Sequence, residues 1–184
     1  MGTSGDDDQI TRLAIAAGKG DRAALSRFIE ATQRDVWRLV AYLADPGSAD
    51  DLTQETYLRA IGSLVRFSGR STARTWLLSI ARRVVVDQIR YNASRPRTIH
   101  VDLEEMEGLG PADGSRIENA VEIRMLLDQL APERREALIL TQVLGLSYVE
   151  AAVVAGCPVG TIRSRVARAR DELLRVADES EQAG

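Results

Sequence analysis

The chain has 184 residues, of which 45% are hydrophobic and 4% aromatic, and this suits one medium domain or two small ones. The net charge of -3 gives by itself no sign of a nucleic-acid partner. The charges are segregated, however, with eight arginines and one acid between Arg66 and Arg97, and four acids and no base between Asp45 and Thr56. Such segregation favours a protein that meets both nucleic acid and a protein partner.

Several classes of protein are disfavoured by what the sequence lacks. The single cysteine, Cys157, and the single histidine, His100, cannot build a zinc site or a disulfide framework. Paired carboxylates and nucleophile–base pairs are also missing, so we expect no enzyme, no cofactor, no metal and no small-molecule substrate. There is no apolar run near the roughly 20 residues of a membrane span, and no signal peptide, so we expect a cytoplasmic protein with no membrane partner.

The apolar spacing in the N-terminal segment predicts helices from about Ile10 onward. We expect residues 1–9 to be a disordered tail. The run from Gly18 to Asp21 interrupts the helical pattern, and Asp21 is a good N-cap for a second helix that continues to Leu43. Trp37 lies within the apolar stripe of this second helix, and we therefore expect it in the core.

A third helix is predicted over residues 49–61. Asp51, Gln54, Glu55 and Leu58 follow the i, i+3, i+4, i+7 spacing, so they share one face. Leu52 lies nearly opposite this face, and one buried stripe cannot accommodate both sets. Two interpretations remain open, a solvated acidic face and a protein-binding surface.

A polar loop over residues 67–72 precedes a long helix predicted over residues 75–91. The apolar side chains of this helix cover one broad side. The opposite side collects Ser79, Arg82, Arg83 and Arg90. A basic face that follows a polar loop is a candidate nucleic-acid surface, although it could also be a solvated flank.

Helical periodicity is lost after Asn92. Residues 96–115 are expected to form a flexible acidic linker, which contains Asp102, Glu104, Glu105 and Glu107. Helical spacing returns from Arg116. The apolar residues of that next helix are Val121, Met125, Leu126 and Leu130, and Pro132 then starts a helix that runs to Leu144.

Residues 147–174 predict two helices around a tight turn. Ser147 and Glu150 can form a capping box at the start of the first helix, and Gly156, Cys157 and Pro158 end it. The second helix is predicted from Val159 to about residue 176. Its apolar stripe consists of Ile162, Val166, Ala169 and Leu173. This is the helix-turn-helix pattern, in which we expect Cys157 to be a small buried residue and not a redox sensor.

The outer face of the second helix is basic. Four arginines and no acid lie between Val159 and Arg170. Arg168 and Ser164 lie opposite the apolar stripe and are the best candidates for contacts with base edges, while Thr161 and the free N–H groups of the first turn could hold a phosphate. An ordinary helical hairpin with solvated arginines is the alternative interpretation.

Three motifs together resemble the extracytoplasmic-function sigma factors of bacteria. They are DDLTQETYLRAI, TWLLSIARR and LAPERREALILTQVLGLSYVEAAVVAGCPVGTIRSRVARARDELL, and the resemblance covers roughly residues 10–176. It implies an all-α protein with a region 2 domain (10–95), a linker, a region 4 helix-turn-helix domain (116–178) and a tail (179–184). It also implies a transcription initiation factor whose partners are core RNA polymerase, promoter DNA and an anti-sigma factor.

The resemblance assigns roles to individual residues. Contacts to the polymerase clamp helices fall on Asp51, Gln54, Glu55 and Leu58. Minus-ten contacts fall on the loop and helix residues Arg70, Ser71, Thr72, Arg74, Ser79, Arg82 and Arg83. Minus-thirty-five contacts fall on Thr161, Arg163, Ser164, Arg165, Ala167 and Arg168, and region 4 also touches the polymerase flap. This sequence departs from the family at Arg83, where asparagine is common, at Cys157, where isoleucine is usual, and at the small Ala167.

Two other functions remain open at this stage. One is a stand-alone helix-turn-helix repressor that binds DNA as a dimer, and the other is a helical adaptor that binds only proteins. A gel shift with and without core polymerase would separate a repressor from a sigma factor.

Overall fold

The computed structural model describes residues 4–44, 46–94 and 124–182, with side chains described for 5–44, 47–94 and 124–175. Within those ranges the chain is helical and contains no strand, which confirms the all-α prediction. The chain divides into two compact units, Met1–Val101 and Asp102–Gly184. The predicted linker and its four acids lie outside the described residues.

The first unit is built from four helices that pack on one another. They are α1 (Ser4–Gly18), α2 (Arg22–Leu43), α3 (Ala49–Ser63) and α4 (Ala73–Ala93), with short 3-10 turns at Pro46–Ser48 and Leu64–Arg66. Apolar side chains at helical spacing form the core, including Phe28, Leu39, Leu77 and Val84.

The N-terminus differs from the prediction. Helix α1 begins at Ser4 and not near Ile10, so the expected disordered tail over residues 1–9 is wrong for the part that the structure describes. Asp6 and Asp7 in the first turn favour an N-terminus there, because acids interact well with the positive end of the helix dipole. The Thr11 hydroxyl also donates to the Asp7 carbonyl at 2.7 Å.

The start of α2 is as predicted, since the Asp21 carboxylate accepts a hydrogen bond from the Ala24 N–H at 2.9 Å. Trp37 departs from the prediction because it is only half-buried. Its indole N–H donates to the Asp50 carboxylate at 2.8 Å, which ties α2 to the start of α3. This amphipathic ring therefore lies at the edge of the core.

The second unit contains helical residues 124–128, α5 (Pro132–Leu138), α6 (Tyr148–Ala155) and α7 (Val159–Gln182). A π-helical turn, Ile139–Val143, replaces the last part of the helix that was predicted to run to Leu144. Helix α7 extends beyond the predicted end near residue 176, so most of the expected tail over 179–184 is helical. The start of the helix predicted from Arg116 lies outside the described residues.

The apolar stripe predicted before Pro132 needs a correction. Met125 is 64% exposed, whereas Leu127 and Leu130 are buried. Leu126 is half-buried, and Val121 lies outside the described residues. Leu130 is therefore buried as predicted, whereas Leu127 and not Met125 is the other buried apolar residue of this segment.

The helix-turn-helix turn forms through the predicted caps. The Glu150 N–H donates to the Ser147 hydroxyl at 3.2 Å, and the Ser147 N–H donates to the Glu150 carboxylate at 2.9 Å. Gly156 adopts the left-handed conformation with φ of 65°, and the Cys157 N–H donates to the Ala152 carbonyl at 3.1 Å. This pattern closes α6 and directs the chain into α7.

Candidate protein and nucleic-acid interfaces

The acidic face of α3, defined as Asp51, Gln54, Glu55 and Leu58, lies on the surface. The opposite side of α3 is buried, through Leu52, Thr56, Tyr57 and Ala60. Asp51 and Gln54 are exposed, Glu55 is half-buried, and the apolar Leu58 is 68% exposed. The structure therefore brings the four predicted residues together on one surface that the core does not use.

Exposed apolar side chains continue this surface beyond Leu58. Ile61 is exposed, and Val65, in the following 3-10 turn, is 75% exposed. Neither Ile61 nor Val65 was singled out from the sequence. The signal that could have identified them is the spacing i, i+3, i+7 from Leu58, extended past the end of the helix.

A chain of ion pairs holds Glu55. The Arg59 Nε lies 2.7 Å from Glu55 Oε1, and the Arg59 Nη1 lies 2.8 Å from Asp87 Oδ2 on α4. These hydrogen bonds, first to Asp87 and then to Glu55, raise the pKa of the Arg59 guanidinium above its ordinary value. Arg59 thus fixes the Glu55 carboxylate and connects α3 to α4.

The loop over residues 67–72 connects the 3-10 turn to α4. Phe67 and Trp76 stack near its base, with ring centroids 4.9 Å apart. Arg70 is exposed and Ser71 is half-buried. Thr72 is the N-cap of α4, because its hydroxyl accepts from the Thr75 N–H at 3.2 Å, so this side chain already has a structural role.

The predicted basic residues of α4 divide into two groups. The Arg74 Nε lies 2.6 Å from the Asp35 carboxylate, and the Arg74 side chain is 12% exposed, so it turns inward. Ser79 is half-buried and donates to the Thr75 carbonyl at 2.8 Å, and Arg82 is also half-buried. Arg83 is exposed. Arg70 and Arg83 are therefore the arginines of this set with the most accessible side chains.

Helix α7 presents its predicted outer face to solvent. Ile162, Val166 and Ala169 are buried, and Leu173 is half-buried, as the apolar stripe predicted. The opposite side is exposed and carries Arg163, Ser164, Ala167 and Arg168. No acid occupies this part of the helix, so the exposed surface is basic.

The four arginines of α7 are not equivalent. Arg165 is half-buried, and its Nη1 lies 3.8 Å from the Cys157 Sγ. The Arg170 Nη2 donates to the side-chain amide oxygen Oε1 of Gln142 at 3.0 Å. Arg163 and Arg168 are exposed and make no ion pair with any residue in the described ranges. These two guanidinium groups are the ones available to a ligand.

At the start of α7, Thr161 and the free N–H groups of the first turn were predicted to hold a phosphate, but the Thr161 N–H is not free. The Thr161 N–H donates to the Pro158 carbonyl at 2.9 Å, and its side chain is half-buried. The Ser164 hydroxyl donates to the Thr161 carbonyl at 3.0 Å, which leaves the Ser164 oxygen able to accept. Cys157 is half-buried, which is more exposed than expected.

An ion pair anchors the other side of α7. The Arg134 Nη1 lies 2.6 Å from Glu172 Oε2, joining α5 to α7. Within the described residues no group of three or more His, Cys, Asp or Glu side chains could hold a metal ion, and no helix there is long and apolar enough to cross a membrane.

Comparison with known proteins identifies the family. The Sigma-70 region 2 model matches residues 28–95, and the Sigma-70 region 4 model matches residues 120–173. The Mycobacterium tuberculosis ECF RNA polymerase sigma factor SigC is 58% identical over 182 residues, which cover 99% of this chain and 98% of that protein. The chain belongs to the extracytoplasmic-function RNA polymerase sigma factors.

More distant relatives agree with this sigma factor in sequence and fold. The Escherichia coli ECF RNA polymerase sigma-E factor is 32% identical over 177 residues, covering 90% of this chain and 92% of that one. The sigma factor RpoE of Bartonella quintana, solved with the anti-sigma factor NepR, matches with a TM-score of 0.65 and 25% identity over 84% of this chain and 96% of that chain. CnrH, solved with the cytosolic domain of CnrY, shares the fold, with a TM-score of 0.73 and 24% identity over 93% of this chain and 98% of that chain.

Family membership decides between the functions that the sequence left open. This sigma factor is a transcription initiation factor. A repressor would explain only the helix-turn-helix, and an adaptor would explain only the acidic face. Sigma regions 2 and 4 together account for both units.

Proposed function

We propose that this sigma factor binds core RNA polymerase through the acidic face of α3, reads the minus-ten element with the loop over residues 67–72, and reads the minus-thirty-five element with α7. The observation that carries the proposal is the exposed set on α7, with Ser164 and Arg168 opposite the buried side chains of Ile162, Val166 and Ala169, and with Arg163 on the flank. The protein acts in the cytoplasm and catalyses no reaction of its own, since it supplies recognition and helps to melt DNA.

Protein docking explains the acidic face of α3 better than solvation does. A solvated face needs no large apolar side chain, yet Leu58 is 68% exposed and Ile61 and Val65 are exposed beside it. An apolar centre with a polar rim is the usual anatomy of a protein interface. Asp51, Gln54 and Glu55 would supply the rim and would favour a basic polymerase surface.

Direct readout of bases explains the outer face of α7. An arginine fork can donate to both acceptors of a guanine in the major groove, and a serine can accept from or donate to bases and phosphates. Arg168 and Ser164 are exposed and could make such contacts with bases. Arg163 is exposed beside them and could contact a base or a phosphate. Arg165 and Thr161 then support the helix start, where the structure gives them intramolecular contacts.

The minus-ten surface is proposed with fewer residues than the resemblance implied. Arg70, Ser71 and Arg83 would contact DNA, while Thr72 caps α4 and Arg74 pairs with Asp35. Flipping a base out of the duplex costs a few kcal/mol, and contacts from the loop must offset it. A small set of contacts of this kind suits recognition of a short melted segment.

The remaining partners follow from the relatives. The Bartonella sigma factor was solved in complex with an anti-sigma factor, and we extend that class of partner to this chain. Region 4 would also touch the polymerase flap. We propose domain limits of 4–95 and 116–182, which include all of α1 and α7, joined by an acidic linker over 96–115.

A pull-down of core polymerase tests the docking surface. The triple variant Asp51→Ala, Gln54→Ala, Glu55→Ala should keep its melting temperature and lose core polymerase, because these side chains contribute nothing to the core. The matched control is Glu30→Ala with Gln33→Ala on α2, which also removes exposed acid and amide groups. Unfolding of the triple variant, or retention of the polymerase by it, would contradict the proposal.

A further inference from the structure

Helix α1 lies outside the part of the chain that matches sigma region 2, since it ends at Gly18 and the match begins at residue 28. It nevertheless contacts α2, the 3-10 turn before the minus-ten loop, and α4 after that loop. Here the minus-ten loop means residues 67–72. The question is what this helix contributes.

The first contact is at the C-terminal end of the minus-ten loop. The Thr11 hydroxyl donates to the Asp7 carbonyl at 2.7 Å, which leaves its oxygen as an acceptor. That oxygen accepts the Ala73 N–H at 3.0 Å, across 62 residues of sequence. Ala73 is fully buried and is the first residue of α4, where the backbone N–H has no partner within its own helix.

The second contact is at the N-terminal end of the minus-ten loop. A Cβ on Gly18 would lie 2.6 Å from the Leu64 carbonyl oxygen and 3.1 Å from its carbon. Glycine is therefore required at position 18, because any side chain there would displace the backbone of the 3-10 turn. Helix α1 thus fixes the backbone on each side of the minus-ten loop.

The third contact is with the minus-ten loop itself. Ile15 lies between the other two positions on α1, and its Cδ1 is 3.6 Å from the place that a Cβ would take on Gly69. Thr11, Ile15 and Gly18 follow the i, i+4, i+7 spacing, so they lie on one face, with the fully buried Ala14 between them. One face of α1 therefore contacts both ends and the middle of the minus-ten loop.

We infer that α1 is a positioning helix for minus-ten recognition, and that Thr11 is its main positioning residue. Thr11 does not touch DNA. It sets where α4 begins, and it thereby limits the conformations of the loop that carries Arg70 and Ser71. A loop held in its binding conformation discriminates better between bases, because less ordering is needed when DNA binds. This inference rests on the proposed role of the minus-ten loop.

The test is transcription by the full chain with core polymerase on promoter libraries randomised in either the minus-ten or the minus-thirty-five element. Thr11→Val keeps the shape of the side chain and removes the hydroxyl, while Thr11→Ser keeps the hydroxyl. We expect Thr11→Val to reduce minus-ten base discrimination by about tenfold, as for a buried donor left without an acceptor. Minus-thirty-five preference should stay unchanged, and Thr11→Ser should retain wild-type discrimination.

The melting temperature of each variant is measured in parallel. Ile15→Ala is a second variant, and because Ile15 is partly exposed, this substitution does not disturb a buried position. It should weaken minus-ten discrimination severalfold while the chain stays folded. If Thr11→Val fails to fold, Ile15→Ala alone decides, and unchanged discrimination would overturn the inference. A lower melting temperature of Thr11→Val with unchanged discrimination would also overturn it.

The variants Arg70→Ala and Ser71→Ala separate this inference from the proposed function. If they change minus-ten preference and the Thr11 and Ile15 variants do not, only the role of α1 is wrong. If Arg70→Ala and Ser71→Ala have no effect, the minus-ten loop itself is misassigned and the inference fails with it.

Discussion

Two pairs of arginines, Arg59 and Arg74 in the first unit and Arg163 and Arg168 on α7 in the second, have different surroundings. In the first unit Arg59 pairs with Glu55 and Asp87, and Arg74 pairs with Asp35. On the outer face of α7 in the second unit, Arg163 and Arg168 are exposed and make no ion pair within the described residues. Arg59 and Arg74 therefore hold helices together, whereas Arg163 and Arg168 are available for a ligand.

This difference shows what a count of charges along the sequence can and cannot tell. The segment from Arg66 to Arg97 has eight arginines and one acid, which indicated a strongly basic surface. Asp35, 39 residues before Arg74, neutralises part of it after folding. On α7 the acid Glu172 pairs with Arg134 of α5 and not with Arg163 or Arg168, so the basic character indicated by the sequence remains at those two positions.

The largest effect on stability is expected from Arg74→Ala. The Arg74–Asp35 pair is mostly buried, with 12% and 25% of the side chains exposed, so removal of one partner leaves a poorly solvated charge. We expect a loss of about 2–4 kcal/mol in the free energy of unfolding. Urea denaturation measures it, with the exposed Arg83→Ala as the control that should change stability little. Equal stability of the two variants would mean that the Arg74–Asp35 pair does not hold these helices together.

Tyr57 is a buried phenol in the first unit whose hydroxyl, like Arg59 and Arg74, makes contacts within the fold. Its O–H lies 2.8 Å from the Thr32 hydroxyl oxygen, and burial raises the pKa of Tyr57 from 10.0 to about 12. Asp35 also raises this pKa, while the hydrogen bond with Thr32 lowers it. The folded state therefore favours the neutral phenol.

The sign of the pH effect follows from that raised pKa. The stabilisation is fully present below pH 10 and is lost as the pH rises from about 10 to about 12, and a two-unit shift corresponds to about 2.5 kcal/mol. Tyr57→Phe has no phenol to ionise, so it should lose correspondingly less stability over that range. The measurement is the free energy of unfolding by urea as a function of pH. If it fell equally for the two proteins between pH 10 and pH 12, the pKa of Tyr57 would not be raised by folding.

Local patterns predicted the helices and the outer face of α7 well. The caps at Asp21 and Ser147 and the stripe of Ile162, Val166 and Ala169 depend on residues within a few positions of each other, and the structure confirms them. Such features follow from the 3.6-residue repeat and from the unpaired groups at helix ends.

Contacts between distant residues could not be predicted in the same way. The Thr11–Ala73 hydrogen bond spans 62 residues and the Arg74–Asp35 pair spans 39, and no periodicity encodes either. The π-helical turn is similar, since the Leu144 N–H donates to the Ile139 carbonyl at 3.0 Å without a proline or glycine to mark it. The resemblance therefore assigned Arg74 to DNA, although in the structure its Nε lies 2.6 Å from the Asp35 carboxylate.

A smaller effect, on recognition and not on folding, is expected from Arg168→Ala. Loss of one arginine–base contact should cost about 1–3 kcal/mol in binding to the preferred minus-thirty-five element. Stability should stay the same, because Arg168 is exposed and pairs with no acid in the described ranges. Binding to a minus-thirty-five library in the presence of core polymerase measures the preference. The control is Arg90→Ala on α4, and a change in preference for that variant alone would mean that the recognition face is assigned to the wrong helix.

The smallest effect is expected from the cap of α6. Ser147→Ala removes the hydroxyl that accepts the Glu150 N–H and should destabilise the second unit by about 1 kcal/mol. Ser164→Ala is the matched control, because its hydroxyl only donates to a carbonyl of its own helix, at 3.0 Å on an exposed face. Thermal unfolding should therefore detect Ser147→Ala and not Ser164→Ala, whereas minus-thirty-five preference should respond to Ser164→Ala and not to Ser147→Ala. Ser147 would then be a residue that stabilises a helix, and Ser164 a residue that contacts DNA, within the same unit. If both variants changed stability equally, that division would not extend to the hydroxyls of the helix-turn-helix.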